Sequence, residues 1–220
     1  MNITGAIFDM DGTLADSLGF WDYLWEYIGK KYNGGSFLPD PQTEQALRTT
    51  LMKDGMYLLH EKYGFGESGE AFYRDTAALL VKFYAEEIKL KPGVLEFLEH
   101  LKLRGVKMCV ASATELPLLE SLCARYKLER YFTKIFSCQQ IGKGKESPEV
   151  FNVAHRYLGT AKESTWVFED SVLALDTSVK AGYNTVGIYD KHGFEPERVK
   201  ALSVKYIGEG ETLEKLIPEI

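Results

Sequence analysis

Residues 3–17 read Ile-Thr-Gly-Ala-Ile-Phe-Asp-Met-Asp-Gly-Thr-Leu-Ala-Asp-Ser, and this stretch decides the fold. The apolar run to Phe8 predicts a strand, while Asp and Gly are poor strand residues, so Asp9 and Asp11 are expected on a turn at the strand's carboxyl end. Clustered carboxylates repel one another unless a cation or a shared proton offsets their charge, and oxygen ligands suit Mg²⁺. Ordinary turns and calcium loops have the same Asp-x-Asp-Gly pattern.

A second β-rich run, Val106-Lys107-Met108-Cys109-Val110-Ala111-Ser112-Ala113-Thr114, ends in small hydroxyl residues. Hydroxyl and backbone N–H groups at such a strand end can face an anion, which makes Ser112 the candidate for a phosphate contact. A serine after a strand is also a common helix N-cap.

A third segment, Gly142-Lys143-Gly144-Lys145-Glu146-Ser147-Pro148-Glu149-Val150-Phe151, places a lysine just before a predicted helix start. Ser147 followed by Pro148 is typical of an N-cap with proline at the first helical position. Lys145 is the candidate for an anion contact and Lys143 is its rival. Both lysines also suit a solvated glycine-rich loop.

A fourth segment, Ser164-Thr165-Trp166-Val167-Phe168-Glu169-Asp170-Ser171, is a β-branched and aromatic run that ends in adjacent carboxylates. A helical pattern to Gly182 follows it, so the order is strand, acidic corner, helix and terminal glycine. Asp170 is a candidate metal ligand, and the alternative is an ordinary helix N-cap.

The second half of the chain alternates predicted strands and helices. We expect strands at 106–112, 132–137, 165–169 and 184–189, and helices at 93–104, 115–127, 148–158 and 172–181. This alternation requires right-handed crossovers, and therefore predicts an α/β fold with a parallel sheet and helices on both faces. The four motifs then meet at the carboxyl edge of the sheet.

Between Leu14 and Pro92 the strand-like runs give way to helical stripes of aromatic and aliphatic residues. We predict a core domain of residues 1–14 and 91–220, and an inserted domain of residues 15–90 with about four helices. The aromatic residues of its first helix either line a cleft or pack in a core, and helical spacing is more typical of a core. They are Phe20, Trp21, Tyr23 and Trp25.

The four motifs, in this order, resemble those of the haloacid dehalogenase-like superfamily, most of whose members are Mg²⁺-dependent phosphatases. The position of the insertion resembles the helical cap of the family's first subclass. The resemblance implies a Rossmann-like parallel sheet with helices on both faces and an inserted helical-bundle cap. In the third motif Lys145, Pro148 and Phe151 match the family's Lys-Pro-x-Pro-Asp-x-Phe, whereas Glu146 and Glu149 depart from it.

The resemblance also implies a role for each motif residue. Asp9 would be the nucleophile that forms an aspartyl-phosphate, and Asp11 the general acid and base. Thr13, Ser112, Ala113 and Lys145 would bind the phosphoryl group. Mg²⁺ would be held by Asp9, Asp170 and the backbone carbonyl of Asp11, with Glu169 supporting the site through water or hydrogen bonds.

Hydrolysis of a small phosphorylated metabolite is the activity that this pattern favours. Dehalogenases of the family lack the second acid, so Asp11 points to phosphorus chemistry. The alternative is a sugar-phosphate mutase like β-phosphoglucomutase, but Trp21 stands where those caps carry a His and residues 47–56 lack their Arg-x-Asp-Ser pattern. A non-enzymatic binding protein would be indicated by loss of Asp9, Asp11 or Asp170, and all three are present.

Composition limits the partners. The net charge is -6 and the pI is near 5.4, with no segment rich in Lys and Arg, so a nucleic-acid polymer is not expected as partner. Three distant cysteines indicate free thiols in a reducing compartment, and no run approaches ~20 apolar residues. No basic and apolar leader precedes the first strand. We therefore expect a cytoplasmic protein, monomer or small homo-oligomer, with no membrane partner.

Overall fold

The computed structural model describes residues 1–50 and 52–220, without the side chains of Gln45, Arg48 and Thr49. Part of segment 47–56, which entered the comparison with mutases, therefore lies outside the described residues. The chain divides into two compact units. One, here called the core unit, consists of Met1–Leu18 and Ile88–Ile220, and the other, the helical unit, of Gly19–Glu87.

The core unit is built on a parallel sheet whose strand order is β5-β4-β1-β6-β7-β8. The described strands of the chain are β1 Gly5–Phe8, β2 Ala15–Asp16, β3 Lys89–Leu90, β4 Lys107–Ser112, β5 Ile135–Ser137, β6 Thr165–Glu169, β7 Asn184–Ile188 and β8 Lys205–Ile207. β1 lies in the middle of the sheet, and all the neighbouring pairs within it are parallel. The predicted α/β Rossmann-like fold is confirmed.

The register of β1 with its two neighbours determines which residues lie side by side where the three strands end. Phe8 lies opposite Val110 of β4 and Phe168 of β6. The backbone N–H of Asp9 then donates to the carbonyl of Phe168 at 2.9 Å, so the pairing continues one residue past β1. Because parallel strands end at one edge, the residues that follow β1, β4 and β6 meet there.

Helices pack on both faces of the sheet. The helices of the chain are α1 Phe20–Tyr32, α2 Pro41–Thr49, α3 Met52–Tyr63, α4 Gly69–Lys82, α5 Val94–Leu103, α6 Leu116–Tyr126, α7 Cys138–Ile141, α8 Glu149–Leu158, α9 Val172–Lys180 and α10 Pro196–Ala201. Ile7 packs in one buried cluster with Val150 and Phe151 of α8. Phe8 points to the other face, where its ring lies 6.4 Å from that of Phe97 in α5.

The helical unit has a core of its own. Capping side chains mark the amino ends of two of its helices. The Asp40 side chain precedes Pro41, the first residue of α2, and accepts a hydrogen bond from the Thr43 N–H. The Ser68 side chain caps α4 in the same way. A π-helical turn, Phe83–Glu87, follows α4. Phe20 and Trp25 are buried in this core, so the packing interpretation of the aromatic stripe is confirmed for these two residues.

The insertion leaves and rejoins the core unit through a short antiparallel pair. Ala15 of β2 pairs with Leu90 of β3, and Asp16 pairs with Lys89. The compact helical unit, Gly19–Glu87, lies within the predicted insertion of residues 15–90, and the strands of this pair belong to the core unit.

Two expectations about composition can be compared with the structure. Cys109, Cys123 and Cys138 are buried free thiols, as predicted. Among residues 1–50 and 52–220, no helix has both the length and the apolar character needed to cross a membrane.

Candidate active site

Asp9 is the centre of the candidate site. It follows β1 directly, and its side chain is only 7% exposed. The Nζ atom of Lys145 donates to Oδ1 of Asp9 at 2.5 Å. A buried carboxylate is stable in its charged form only with such a partner.

Lys145 reaches this position from the loop between α7 and α8. Its side chain is buried, and Nζ also donates to Oε1 of Glu169 at the end of β6. Lys143 is exposed. The structure therefore brings Lys145, and not its rival, to the carboxylates.

Three carboxylates gather around this single ammonium group. One oxygen each of Asp9, Glu169 and Asp170 lies within 4.8 Å of the others. Thr13 donates to Oδ1 of Asp170 at 3.1 Å, and the N–H of Ser171 donates to Oε2 of Glu169 at 2.8 Å. If all three acids ionise beside Lys145, two negative charges stay uncompensated within this cluster.

The pKa values express this imbalance. Burial raises the pKa of Asp9 to about 8; Lys145 acts to lower it, while Glu169 and Asp11 raise it further. Burial, with the charges of Glu169 and Asp9, also holds the pKa of Asp170 well above its usual range. Burial alone would lower the pKa of Lys145, but Asp9 and Glu169 raise it, so this group stays charged.

The donor set of the cluster fits a hard divalent cation. All the candidate ligand atoms are carboxylate oxygens, which Mg²⁺ prefers, and a double positive charge would match the uncompensated charge. Asp9 and Asp170 belong to the predicted metal set. Glu169 is predicted to act through water or hydrogen bonds, and its carboxylate belongs to the same cluster.

Asp11 is held by hydroxyl groups from two motifs. Ser17 donates to Oδ1 at 2.7 Å, and Thr114 donates to Oδ2 at 2.8 Å. Ser112 donates to the same Oδ2 at a longer 3.4 Å. These contacts fix the orientation of a carboxyl group that is only partly buried.

The predicted phosphate-binding residues lie around the same edge. Ser112 and Thr13 are buried, but the Thr13 hydroxyl is engaged by Asp170, as described above. Ala113 is exposed just after β4. The N–H of Thr114 donates to Oγ of Ser112 at 3.1 Å, so this serine also orders the turn after its strand.

Gly12 lets the first motif pass close to the acidic cluster. Its φ is +79°, a value that favours glycine. A Cβ on this residue would lie 2.4 Å from Oδ2 of Asp170. Only glycine at position 12 therefore allows the backbone of the first motif to lie this close to the Asp170 carboxylate.

Sequence reasoning did not assign a role to Ser17 or Thr114. Both stand inside the quoted motifs, and their hydroxyl groups are the signal that could have singled them out. Their contacts with Asp11 depend on how the turns after β1 and β4 approach each other.

Comparison with known proteins agrees with this geometry. A family model described as haloacid dehalogenase-like hydrolase matches residues 6–188. The chain belongs to the haloacid dehalogenase-like hydrolase family. The resemblance seen in the four motifs is confirmed, and the protein is an enzyme of this family.

Two relatives illustrate the similarity. The phosphorylated carbohydrates phosphatase of Thermotoga maritima is 29% identical over 185 residues, covering 82% of each chain. Hexitol phosphatase B of Escherichia coli K12 is 27% identical over 188 residues, covering 84% of this chain and 82% of its own.

Solved structures of the family share the fold. The crystal structure of a Thermotoga maritima protein described as a β-phosphoglucomutase aligns with a TM-score of 0.82. The alignment covers 99% of this chain and 100% of the other, at 24% identity. CbbY from Rhodobacter sphaeroides in complex with phosphate gives 0.75 at 23% identity, over 93% of both chains. At these identities the likeness concerns the fold alone.

Proposed function

We propose that the protein is a Mg²⁺-dependent phosphomonoesterase that works through an aspartyl-phosphate. The observation that carries the proposal is the buried Asp9 carboxylate, which contacts Lys145 and shares a cluster with Glu169 and Asp170. Family membership and the two phosphatases named above support the reaction class.

Asp9 performs the first step. A carboxylate oxygen of Asp9 attacks phosphorus, the ester P–O bond breaks, and its electron pair goes to the leaving oxygen. The carboxyl proton of Asp11 passes to that oxygen, so an alcohol leaves and phosphate stays on Asp9. Ser17 and Thr114, which bond the Asp11 carboxyl, keep it in place for this transfer.

Asp11 acts again in the second step. Its carboxylate takes a proton from a water molecule whose oxygen attacks the phosphorus atom. The P–O bond to Asp9 breaks, which releases inorganic phosphate and restores both carboxyl groups to their starting states. The same residue can serve as acid and then as base because the first transfer leaves it deprotonated.

Charge compensation is the role of the remaining groups. A bound Mg²⁺ would supply positive charge to the phosphoryl oxygens and to the carboxylates. Asp9, Asp170 and the backbone carbonyl of Asp11 would hold it, with Glu169 beside them. Lys145, the hydroxyl of Ser112 and the backbone around Thr13 and Ala113 would bind the phosphoryl oxygens.

A small phosphorylated sugar or polyol is the substrate class that the relatives support, since their names refer to phosphorylated carbohydrates and hexitols. We propose that the helical unit serves as the cap, which excludes water while Asp9 is being phosphorylated. A cytoplasmic location, and a monomer or small homo-oligomer, complete the proposal.

The experiment is phosphate release from a panel of phosphomonoesters, with Mg²⁺ and with EDTA, by the wild type and Asp9→Asn. We expect release that needs Mg²⁺ and falls at least ~10³-fold in the variant, because the nucleophile is lost while the fold is kept. Asp176→Asn, which changes a surface ion pair with Lys180 on α9, is the control and should match the wild type.

Three results would contradict the proposal. They are full activity in EDTA, full activity of Asp9→Asn, and no phosphate release from any ester. Conversion of β-glucose 1-phosphate into another sugar phosphate without phosphate release would favour the mutase instead.

A further inference from the structure

A narrow recess opens beside Asp170 at the carboxyl edge of the sheet. Its lining includes Asp170, Tyr189, Asp190 and Phe194. These last residues belong to the segment that follows β7, which we call the 189–194 loop. None of the four sequence motifs includes this loop.

Phe194 stands out in this lining because its side chain is large, apolar and 52% exposed. A single exposed apolar residue needs no explanation by itself. Here, however, the ring borders the same recess as Asp170, a member of the acidic cluster. A phosphomonoester bound at that cluster would therefore lie beside the recess that the ring borders.

A buried ion pair fixes the base of the loop. The Nζ atom of Lys91 lies 2.9 Å from Oδ2 of Asp190, whose side chain is 2% exposed. Lys91 also donates to the carbonyl of Tyr189 at 2.9 Å. The other oxygen of Asp190 accepts the His192 N–H at 2.8 Å, so the carboxylate is bonded on both sides.

Such a pair does more for position than for stability. The loss of hydration of the buried Asp190 and the partly buried Lys91 offsets much of their attraction, so apolar residues in their place would stabilise the loop equally well. A buried ion pair with three directed hydrogen bonds, in contrast, allows one loop conformation. Lys91 further ties this arrangement to the first motif, because its N–H donates to the carbonyl of Leu14 at 2.8 Å.

We infer that Phe194 is a specificity-determining residue that contacts the carbon skeleton of a phosphorylated sugar or polyol, and that Lys91 and Asp190 position it. The inference rests on the proposed phosphatase function. The recess holds about 10 Å³, close to the space of one water molecule, so the organic part of a substrate stays outside it. The C–H groups of a sugar or polyol chain can instead lie against the exposed ring.

The test compares two types of substrate. One type is glucose 6-phosphate, sorbitol 6-phosphate and ribose 5-phosphate, and the other is acetyl phosphate, whose organic part offers only one methyl group for an apolar contact. The readout is the selectivity ratio, which is kcat/KM for the fastest of the three divided by kcat/KM for acetyl phosphate. We expect Phe194→Ala to lower this ratio about tenfold, mainly through KM, because one apolar contact is lost.

Two further variants separate the contact from general damage. Phe194→Tyr keeps the ring and should keep the ratio. Tyr157→Ala removes a side chain that is 50% exposed, on α8, and should behave as the wild type. Tyr157 is a suitable control because its hydroxyl bonds the carbonyl of Thr133, and the next residue, Leu158, accepts from Lys107 at the start of β4, at the opposite edge of the sheet.

The positioning pair is tested in the same assay. Lys91→Met should lower the ratio several-fold and Lys91→Arg should restore it, because Arg keeps the charge that Asp190 needs. Lys89→Met, an exposed position two residues earlier, is the matched control. Thermal unfolding of each variant identifies any that fails to fold, and the Phe194 series decides the question in that case.

The outcomes distinguish this inference from the proposed function. An unchanged ratio in Phe194→Ala would overturn the inference alone. Turnover of acetyl phosphate or nucleoside monophosphates, but of none of the three sugar and polyol phosphates, would also overturn it and leave the phosphatase in place. No phosphate release from any compound would overturn both.

Discussion

The Nζ atom of Lys145 lies 2.5 Å from Oδ1 of Asp9, although 136 residues separate them in the chain. The contact joins the loop before α8 to the end of β1, so it links the third motif directly to the first. Because the same ammonium group bonds Glu169, Lys145 is the cation that allows these acids to lie together.

Replacement of Lys145 by Met should lower kcat/KM for phosphomonoesters by at least ~10²-fold, since the phosphoryl group and Asp9 both lose a positive partner. The free energy of unfolding should fall by about 3 kcal/mol, because a buried carboxylate is left unpaired. Lys143→Met, an exposed position in the same loop, should change neither quantity. Equal losses in the two variants would show that loop order, not this contact, is responsible.

Thr114→Val keeps the shape of the side chain but removes the hydrogen bond to Asp11. We expect kcat to fall about tenfold for alkyl phosphates, since a hydrogen bond to a carboxylate is worth ~1.5 kcal/mol or more. With p-nitrophenyl phosphate the loss should be smaller, because that leaving group needs no proton. Thr133→Val, whose hydroxyl bonds only a backbone carbonyl in the described contacts, serves as the control. A loss independent of the leaving group would argue against Asp11 as the acid.

Gly12→Ala tests the close approach to Asp170. A Cβ at this position meets both strain from the positive φ and a collision with the carboxylate. Gly105, in the turn after α5, has a φ of +73°, and a Cβ added to it would meet open space. Gly105→Ala should therefore cost about 1 kcal/mol in stability and leave kcat unchanged, while Gly12→Ala should also abolish activity. Activity that survives in Gly12→Ala would show that Asp170 can move without loss of function.

The helical unit should lose stability at both extremes of pH. Asp75 accepts hydrogen bonds from Tyr27, Tyr32 and Lys31. Burial alone would raise the pKa of Asp75, but hydrogen bonds from Lys31 and the two tyrosines lower it below its usual value. Burial, and then the bond to Asp75, raise the pKa of Tyr32 to about 12.

The direction of each pKa shift decides the pH range in which the group's contribution to stability is lost. The contribution of Asp75 to the free energy of unfolding is present above its pKa of about 3.9 in the unfolded chain. It is lost as pH falls through the lower pKa that Asp75 has in the folded protein. That of Tyr32 is present below about pH 10 and is lost as pH rises through about 12. Urea unfolding followed by circular dichroism from pH 3 to 7 should give a steeper acid slope for the wild type than for Asp75→Asn. Asp54→Asn, an exposed change on α3, should keep the wild-type slope, and equal slopes in all three proteins would contradict this assignment.

The strand ends could be predicted because each is marked by a local change in the sequence. Apolar runs that stop at Asp9, Ser112 and Glu169 indicate where the sheet ends, and alternation with helices indicates that these ends share an edge. The predicted strands and helices agree with the observed ones to within a residue or two, except that β5 begins at Ile135. Residues 132–134, predicted as strand, precede β5, although the N–H of Thr133 donates to the Met108 carbonyl of β4 at 3.1 Å.

The choice between Lys143 and Lys145 could not be made in this way. Both lysines stand beside glycines in one loop, so local propensity treats them alike. The direction of each side chain depends on the position of β1 and β6 beneath the loop. The ion pair of Lys91 and Asp190 could not be predicted from the sequence either, because the two residues come from distant parts of the chain and neither belongs to a motif.

The antiparallel pair of β2 and β3 has an evolutionary consequence. It brings both ends of the 19–87 insertion together on the core unit, so an inserted segment of almost any length closes the chain at the same two points. Longer loops add little to the entropy of closure. The inserted segment can therefore change in length or sequence while the strands that precede Asp9 and Asp170 keep their register.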